Sequence, residues 1–286
     1  MRLIVSMQQM QDFARKHRAQ VPALYESATI GFVPTMGALH AGHLSLLERA
    51  RKECSLVVAS IFVNPLQFGP NEDFALYPRT FDADRAALEA ASVDVLFAPA
   101  AAEMYPEGAG TTITVHDLSS RLDGASRPGH FSGVATVVAK LFHLVQPHRA
   151  YFGQKDAAQL AVLRQMVRDL DFDLNLVACP IIRGPDGLAL SSRNRHLSAA
   201  QRADALTLPH TLRAIEAAIT HGDRDTSFLL ALGTTLLQQQ PSLRLDYLAI
   251  VNPDTLLPVQ AALPGTLIAL AATIGTTRLI DNILAP

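Results

Sequence analysis

Cysteine is scarce in this chain, with two among 286 residues. Cys54 and Cys179 lie far apart and form no Cys-x-x-Cys pair, which speaks against structural zinc and for a reducing compartment. Charge is scarce too. Asp, Glu, Lys and Arg make up 17% of the residues and leave a formal net charge of −2. A broad nucleic-acid footprint is therefore not expected, whatever local basic patch the fold assembles. No apolar run is long enough to span a bilayer. Met1–Asp12 turns polar too soon for the apolar core of a secretory leader. Internal repeats and low-complexity tracts are missing as well. These absences point to a cytoplasmic protein. The hydrophobic share of 49% is ample for a packed core, in one large domain or two.

Thr29–Val33 is a short apolar run that suits a buried strand, and Leu56–Val63 is a second, rich in β-branched residues. Between them Leu44, Leu47, Ala50 and Arg51 recur at helical spacing. This alternation predicts a Rossmann-like α/β fold, a doubly wound parallel sheet with its ligand beyond the carboxyl ends of the strands. Before it, a helix is expected over Met7–Gln20 with Ser6 as its cap. A polar loop over Pro70–Thr80 leads to a helix near Asp82–Ala91. Further strands are expected at Val93–Phe97, Thr111–Val115, Ala150–Phe152 and Asp173–Cys179. Phe131–Val145 is apolar at helical spacing and reads as a core helix, with Lys140 exposed or reaching a polar site.

Arg183–Gly187 is a turn-forming cluster and a natural boundary. It divides residues 1–182, the Rossmann-like domain, from residues 183–286. In the second part, helices are expected over Ser198–Thr220 and Asp225–Gln239. Strands follow at Arg244–Val251, Thr266–Thr273 and Thr277–Ile280, which predicts a smaller α+β domain.

The chemistry is expected at Pro34–His43, where a strand passes through a Gly-containing turn into a helix. His40 and His43 flank the helix start, where free N–H groups and the dipole favour phosphate. Gly37 and Gly42 carry no Cβ and let a ligand approach the backbone. Two histidines three apart also suit a zinc half-site or an ordinary helix start. Gly153-Gln154-Lys155-Asp156 repeats the theme: Lys155 is a point charge for phosphate, and Asp156 suits Mg²⁺ or the helix dipole. Ser191, Ser192 and Arg193 offer two hydroxyls and a planar fork to a triphosphate, or else an ordinary cap beside a solvated Arg. Asn64 and Gln67 follow the second strand and could face the same crevice.

The His-x-Gly-His turn resembles the signature shared by class I aminoacyl-tRNA synthetases and nucleotidylyltransferases. PTMGALHAGH, VNPLQF, YPRT, RPGHFSGVATVVAKLF, YFGQKDAAQ and GLALSSRN, in this order, narrow the resemblance to the pantothenate synthetase family, the pantoate–β-alanine ligases. It covers most of the chain. The resemblance implies adenylation of pantoate by ATP with Mg²⁺, then capture of the pantoyl adenylate by β-alanine, in a homodimeric enzyme. Matched position by position, it implies an ATP site of Met36, Gly37, Ala38, Leu39, His40, Ala41, Gly42 and His43. Gly153, Gln154, Lys155, Asp156, Ile182, Leu190, Ser191, Ser192 and Arg193 complete that site. His40, His43, Lys155 and Arg193 carry the catalysis, and Asn64, Gln67 and Gln159 hold pantoate. Asp84, with Asp82, falls where the family places acidic residues near magnesium, although Ala83 separates them here. Two rivals stay open: a transferase acting on a phosphorylated alcohol, and a nucleotide sensor without turnover. No basic extension of the kind that reads an anticodon is visible.

Overall fold

The computed structural model describes residues 1–20, 29–69 and 74–286. Six parallel strands form the first sheet: β1 (Arg2–Ile4), β2 (Ile30–Thr35), β3 (Leu56–Ile61), β4 (Val95–Phe97), β5 (Arg149–Gly153) and β6 (Asn175–Cys179). Their order is β1-β4-β3-β2-β5-β6. The chain winds outward in both directions from β2, so the switch point lies between β2 and β5, where ligands bind in such sheets. β2 pairs with β3 along its whole length but with β5 only at Gly31 and Phe32. Pro34 has no N–H to extend that ladder. The carboxyl ends of β2 and β5 therefore part, and a crevice opens between them.

Helices cover both faces: α1 (Met7–Gln20), α2 (Ala41–Glu53), α3 (Phe81–Ala90), α4 (Ala101–Met104), α5 (Asp123–Ser126), α6 (His130–Val145) and α7 (Ala157–Asp169). Side chains alternate along the strands as period two requires. Phe32 and Val58 join the core under α1, α6 and α7, whereas Val33, Val57 and Ala59 pack against Leu46 and Leu47 of α2 and Leu88 of α3. α6 is buried along most of its length, in keeping with its reading as a core helix.

The rest of the chain forms α8 (Ala199–Ala205), α9 (Thr207–Thr220) and α10 (Thr226–Gln238), followed by the antiparallel strands β7 (Leu243–Val251), β8 (Leu267–Ile274) and β9 (Thr277–Leu284). Leu208, Leu212 and Ile215 of α9 pack on Ile268 and Leu270 of β8. Val251, Leu267 and Ala269, in contrast, belong to the core of the first sheet. Apolar packing thus runs across the sequence boundary at residue 183.

Three expectations need correction. Thr111–Val115 is not a strand: the Ile113 N–H donates to Thr136 Oγ1 on α6, and the segment lies along that helix instead of joining a sheet. The helix expected over Ser198–Thr220 breaks at Leu206, because Pro209 cannot bond back to the Ala205 carbonyl. β9 continues to Leu284, four residues beyond its expected end. Ser6 accepts from the Gln9 N–H as the expected cap of α1. Lys140 is half-buried, with its ammonium 5.6 Å from the Tyr105 ring centre. Of the loop expected over Pro70–Thr80, residues 70–73 lie outside those described.

Candidate active site

A cavity of about 250 Å³ fills the crevice between the parted ends of β2 and β5. Met36, His40, Gly42 and His43 form one wall. Lys155, Asp156 and Gln159 face them, with Gly153 at the end of β5. Ile182, Leu190, Ser191, Ser192 and Arg193 close a third side, and Asn64 and Gln67 lie toward the base. A larger cavity of about 520 Å³ adjoins it, sharing Lys155, Gln159, Ser191 and Arg193 as walls.

The His turn is wired by its own side chains. His40 is the N-cap of α2, and its Nδ1 accepts the Gly42 N–H at 3.1 Å. The His43 Nδ1 accepts the His40 N–H at 3.3 Å. The rings stack obliquely, with centres 4.2 Å apart. A neutral imidazole that accepts at Nδ1 carries its proton on Nε2. Burial pulls the His40 pKa down to about 4, with help from the Lys155 and Arg195 charges. Burial, then His40, takes His43 to about 3. Both rings are therefore neutral near pH 7 and have Nε2–H to donate. The imidazoles thus take up two of the amides at the helix start, those of His40 and Gly42, and an anion there would also meet ring N–H groups.

Asp84 explains the rest of the turn. Its Oδ2 accepts from the Ala38 N–H at 2.9 Å and its Oδ1 from the Leu39 N–H at 2.8 Å, while Thr80 Oγ1 donates to Oδ2 at 3.0 Å. The carboxylate is 4% exposed. Gly37 has a φ of +81°, and a Cβ there would stand 2.9 Å from Asp84 Oδ2. Its glycine serves the carboxylate as much as the backbone. Asp84 is thus a clamp on the turn and not a group lining the cavity, which corrects its assignment to a metal. Asp82 is exposed in the first turn of α3. Gly37, Ala38, Leu39 and Ala41 likewise support the wall without forming it.

Asn64 and Gln67 differ in role. Asn64 is 1% exposed. Its Oδ1 accepts from the Leu66 N–H and from the Tyr105 hydroxyl; its Nδ2 donates to the Gly133 carbonyl and to Gln67 Oε1 at 3.1 Å. Both polar atoms of the Asn64 side chain are engaged inside the protein, and their effect is to fix the Gln67 amide. Gln67 Nε2 then points at Met36 Sδ, 3.0 Å away, a weak acceptor that a ligand oxygen would outcompete. Tyr105 and Gly133 escaped the sequence reading. A Cβ at Gly133 would collide with the Leu66 carbonyl, so only glycine lets α6 lie against this turn. Arg127 and His130 also hold it, the His130 ring lying 2.7 Å from the Gln67 carbonyl.

Ser191 caps the short 3₁₀ turn Ser192–His196 by accepting the Arg193 N–H at 3.3 Å. Leu190 bonds back to the Ile182 carbonyl at 2.9 Å, so the two residues sit side by side as an apolar edge of the cavity. Lys155 lies in a second 3₁₀ turn, Gln154–Asp156, with its Nζ 3.6 Å from Asp156 Oδ1. Gln154 departs from expectation: its amide turns away and donates to Asn282 Oδ1 on β9.

The profile of the family described as Pantoate-beta-alanine ligase matches residues 2–284. The chain belongs to the pantoate–β-alanine ligase family. The pantothenate synthetase of Acidobacterium capsulatum is 62% identical to it over 256 residues, spanning 90% of this chain and 86% of that one. The pantothenate synthetase of Koribacter versatilis is 52% identical, over 99% of this chain and 96% of its own. The crystal structure of pantothenate synthetase from Thermus thermophilus matches with a TM-score of 0.91 at 49% identity, covering 100% of both chains. That of the Francisella tularensis pantoate-beta-alanine ligase, complexed with beta-gamma ATP and beta-alanine, matches at 0.78 with 35% identity, over 99% and 97%. The resemblance drawn from the six motifs is borne out, and so is the fold. Like the rest of the family, the chain is a ligase that joins pantoate to β-alanine through an amide bond. Among the described residues no helix is long and apolar enough to cross a membrane.

Proposed function

We propose that this cavity performs the ligation in two steps, with ATP as the activating substrate. A pantoate carboxylate oxygen attacks the α-phosphorus, the bond to the bridging oxygen breaks, and pyrophosphate leaves. The β-alanine amine then attacks the acyl carbon, AMP departs with the activating oxygen, and the amine proton passes to solvent. The observation that carries this reading is the pair of neutral rings at the start of α2, facing Lys155 across one cavity. Two neutral N–H donors and one fixed cation suit a phosphate that gains charge in the transition state.

The Gln67 Nε2–H serves a pantoate oxygen in this reading, Gln159 completes the pocket, and Asn64 acts through Gln67. Ile182 and Leu190 flank the adenine, while Ser191, Ser192 and Arg193 embrace the phosphates. The neutral Gln67 amide favours a hydroxy acid over a phosphorylated alcohol. Residues 1–182 hold the substrates, and residues 183–286 contribute Leu190–Arg193 and close the site. β-Alanine enters from the larger cavity, whose wall is continuous with the first.

Among the described residues no cluster of three His, Cys, Asp or Glu side chains could cage a metal. Mg²⁺ held mainly by nucleotide phosphates needs only one or two carboxylates, and Asp156, on the cavity wall, fits that demand. There the ion would offset phosphate charge. A cytoplasmic homodimer belongs to the same reading, and sedimentation of the pure enzyme tests the dimer.

Isotope exchange between pyrophosphate and ATP, measured without β-alanine, tests the first step. Exchange that requires pantoate is the expected result. No exchange while ATP still binds would shift the reading to a transferase or a sensor.

A further inference from the structure

Asn282 lies on β9, in the second sheet, away from the strands whose ends frame the first cavity, and is 2% exposed. Its neighbours on β8 and β9 are mostly buried aliphatics, among them Leu270, Ala272 and Leu279. The Asn282 amide is not engaged with its own sheet. Its Nδ2 donates to the Gln154 carbonyl at 3.0 Å and to the Lys155 carbonyl at 2.9 Å, and its Oδ1 accepts from Gln154 Nε2 at 3.3 Å. All three contacts fall on the single turn that carries Lys155. The adjoining Asp281 holds Arg183 through two hydrogen bonds, of 2.6 and 2.9 Å, at the root of the hairpin that leads to Ser191. Asp281 also accepts the Asn282 backbone N–H at 2.8 Å, which holds its carboxylate against the strand.

We propose that Asn282 is a positioning residue for adenylation, setting the Lys155 turn against the His40 wall from the opposite sheet. Two donors on adjacent carbonyls fix both the height and the rotation of a turn that has no side-chain cap of its own. A lysine on a loosened turn would place its charge off the phosphate, and displacements of about 1 Å lower rates by about 10²-fold. The inference rests on the reading of Lys155 as a phosphate contact.

The experiment is a double-mutant cycle read by pantoate-dependent ATP–pyrophosphate exchange in the full-length enzyme. Lys155→Ala should lower exchange strongly. Asn282→Ala should lower it by roughly 10–10²-fold. In the Lys155→Ala background, Asn282→Ala should add no further loss. Equal losses in both backgrounds would show that Asn282 acts elsewhere and would overturn the proposal alone. Wild-type exchange by Lys155→Ala would instead remove Lys155 from the site, and the proposal with it. Asn282→Ser, which keeps one donor, should fall between the wild type and Asn282→Ala. Failure of both variants to fold would make Asn282 a residue of the fold and contradict the assignment.

Discussion

The Pro34–His43 turn and the Gln154–Asp156 turn face one cavity, but they are held in different ways and offer different chemistry. The first is clamped by Asp84, from a helix of its own sheet, and presents two neutral rings. The second is held by Asn282, from the other sheet, and presents the Lys155 cation. A neutral donor must be aimed closely, because hydrogen bonds weaken steeply with angle. A point charge tolerates more freedom of direction. The rigid, locally braced turn thus carries the directional groups, and the turn braced from afar carries the charge.

The largest expected effect comes from removing a directional donor. His40→Ala should lower the adenylation rate by roughly 10²–10³-fold, the scale for losing an oxyanion-type donor. It also leaves the Gly42 N–H without its cap. A rate near that of the wild type would take His40 out of the site and erase the contrast between the turns. Next comes the clamp. Asp84→Ala leaves two amide N–H groups without an acceptor and should lower stability by about 2–4 kcal/mol, measured by denaturant unfolding. A variant as stable as the wild type would show that the turn holds itself.

Gln67→Ala sharpens the comparison, because its amide meets the first turn only at Met36 Sδ, a weak acceptor. The loss of one hydrogen bond to a charged ligand should raise the KM for pantoate about 10-fold and leave that for ATP unchanged. An altered ATP constant would mean that the base of the cavity and the phosphate walls are not separate. The smallest effect concerns pH. The folded pKa of His40 lies near 4, below its ordinary 6.5, so the unfolded chain binds more protons between these values. Stability contributed by keeping His40 neutral is therefore lost as pH falls from 6.5 toward 4, and His43 acts in the same direction down to about 3. Melting temperature should decline over that window, and less steeply in His43→Asn, which has no ring proton to gain. An equal slope in the two proteins would contradict the shift for His43.

Much of this was legible in the residue order. Apolar runs at Thr29–Val33 and Leu56–Val63, with a helical period between them, gave the parallel sheet its first unit. The Gly-containing turns after strands pointed to the crevice. The partners of those turns were hidden, because they come from far along the chain. Ala38 and Asp84 are 46 positions apart, and Lys155 and Asn282 are 127 apart. A signal for the second was present: Asp281-Asn282 falls between the apolar pairs Leu279-Ile280 and Ile283-Leu284, and polar residues buried in a strand need partners. No such mark distinguished Tyr105. The false strand at Thr111–Val115 arose because alternation shows which side chains are buried but not what covers them.

The most direct test of the contrast between the turns is ¹⁵N NMR of the histidine rings in the folded enzyme near pH 7. The account predicts that His40 and His43, assigned through single-site variants, are neutral, with the proton on Nε2 and no titration near 6.5. Imidazolium signals, or the proton on Nδ1, would contradict it, because the rings could not then cap the helix amides and donate neutral hydrogen bonds to phosphate.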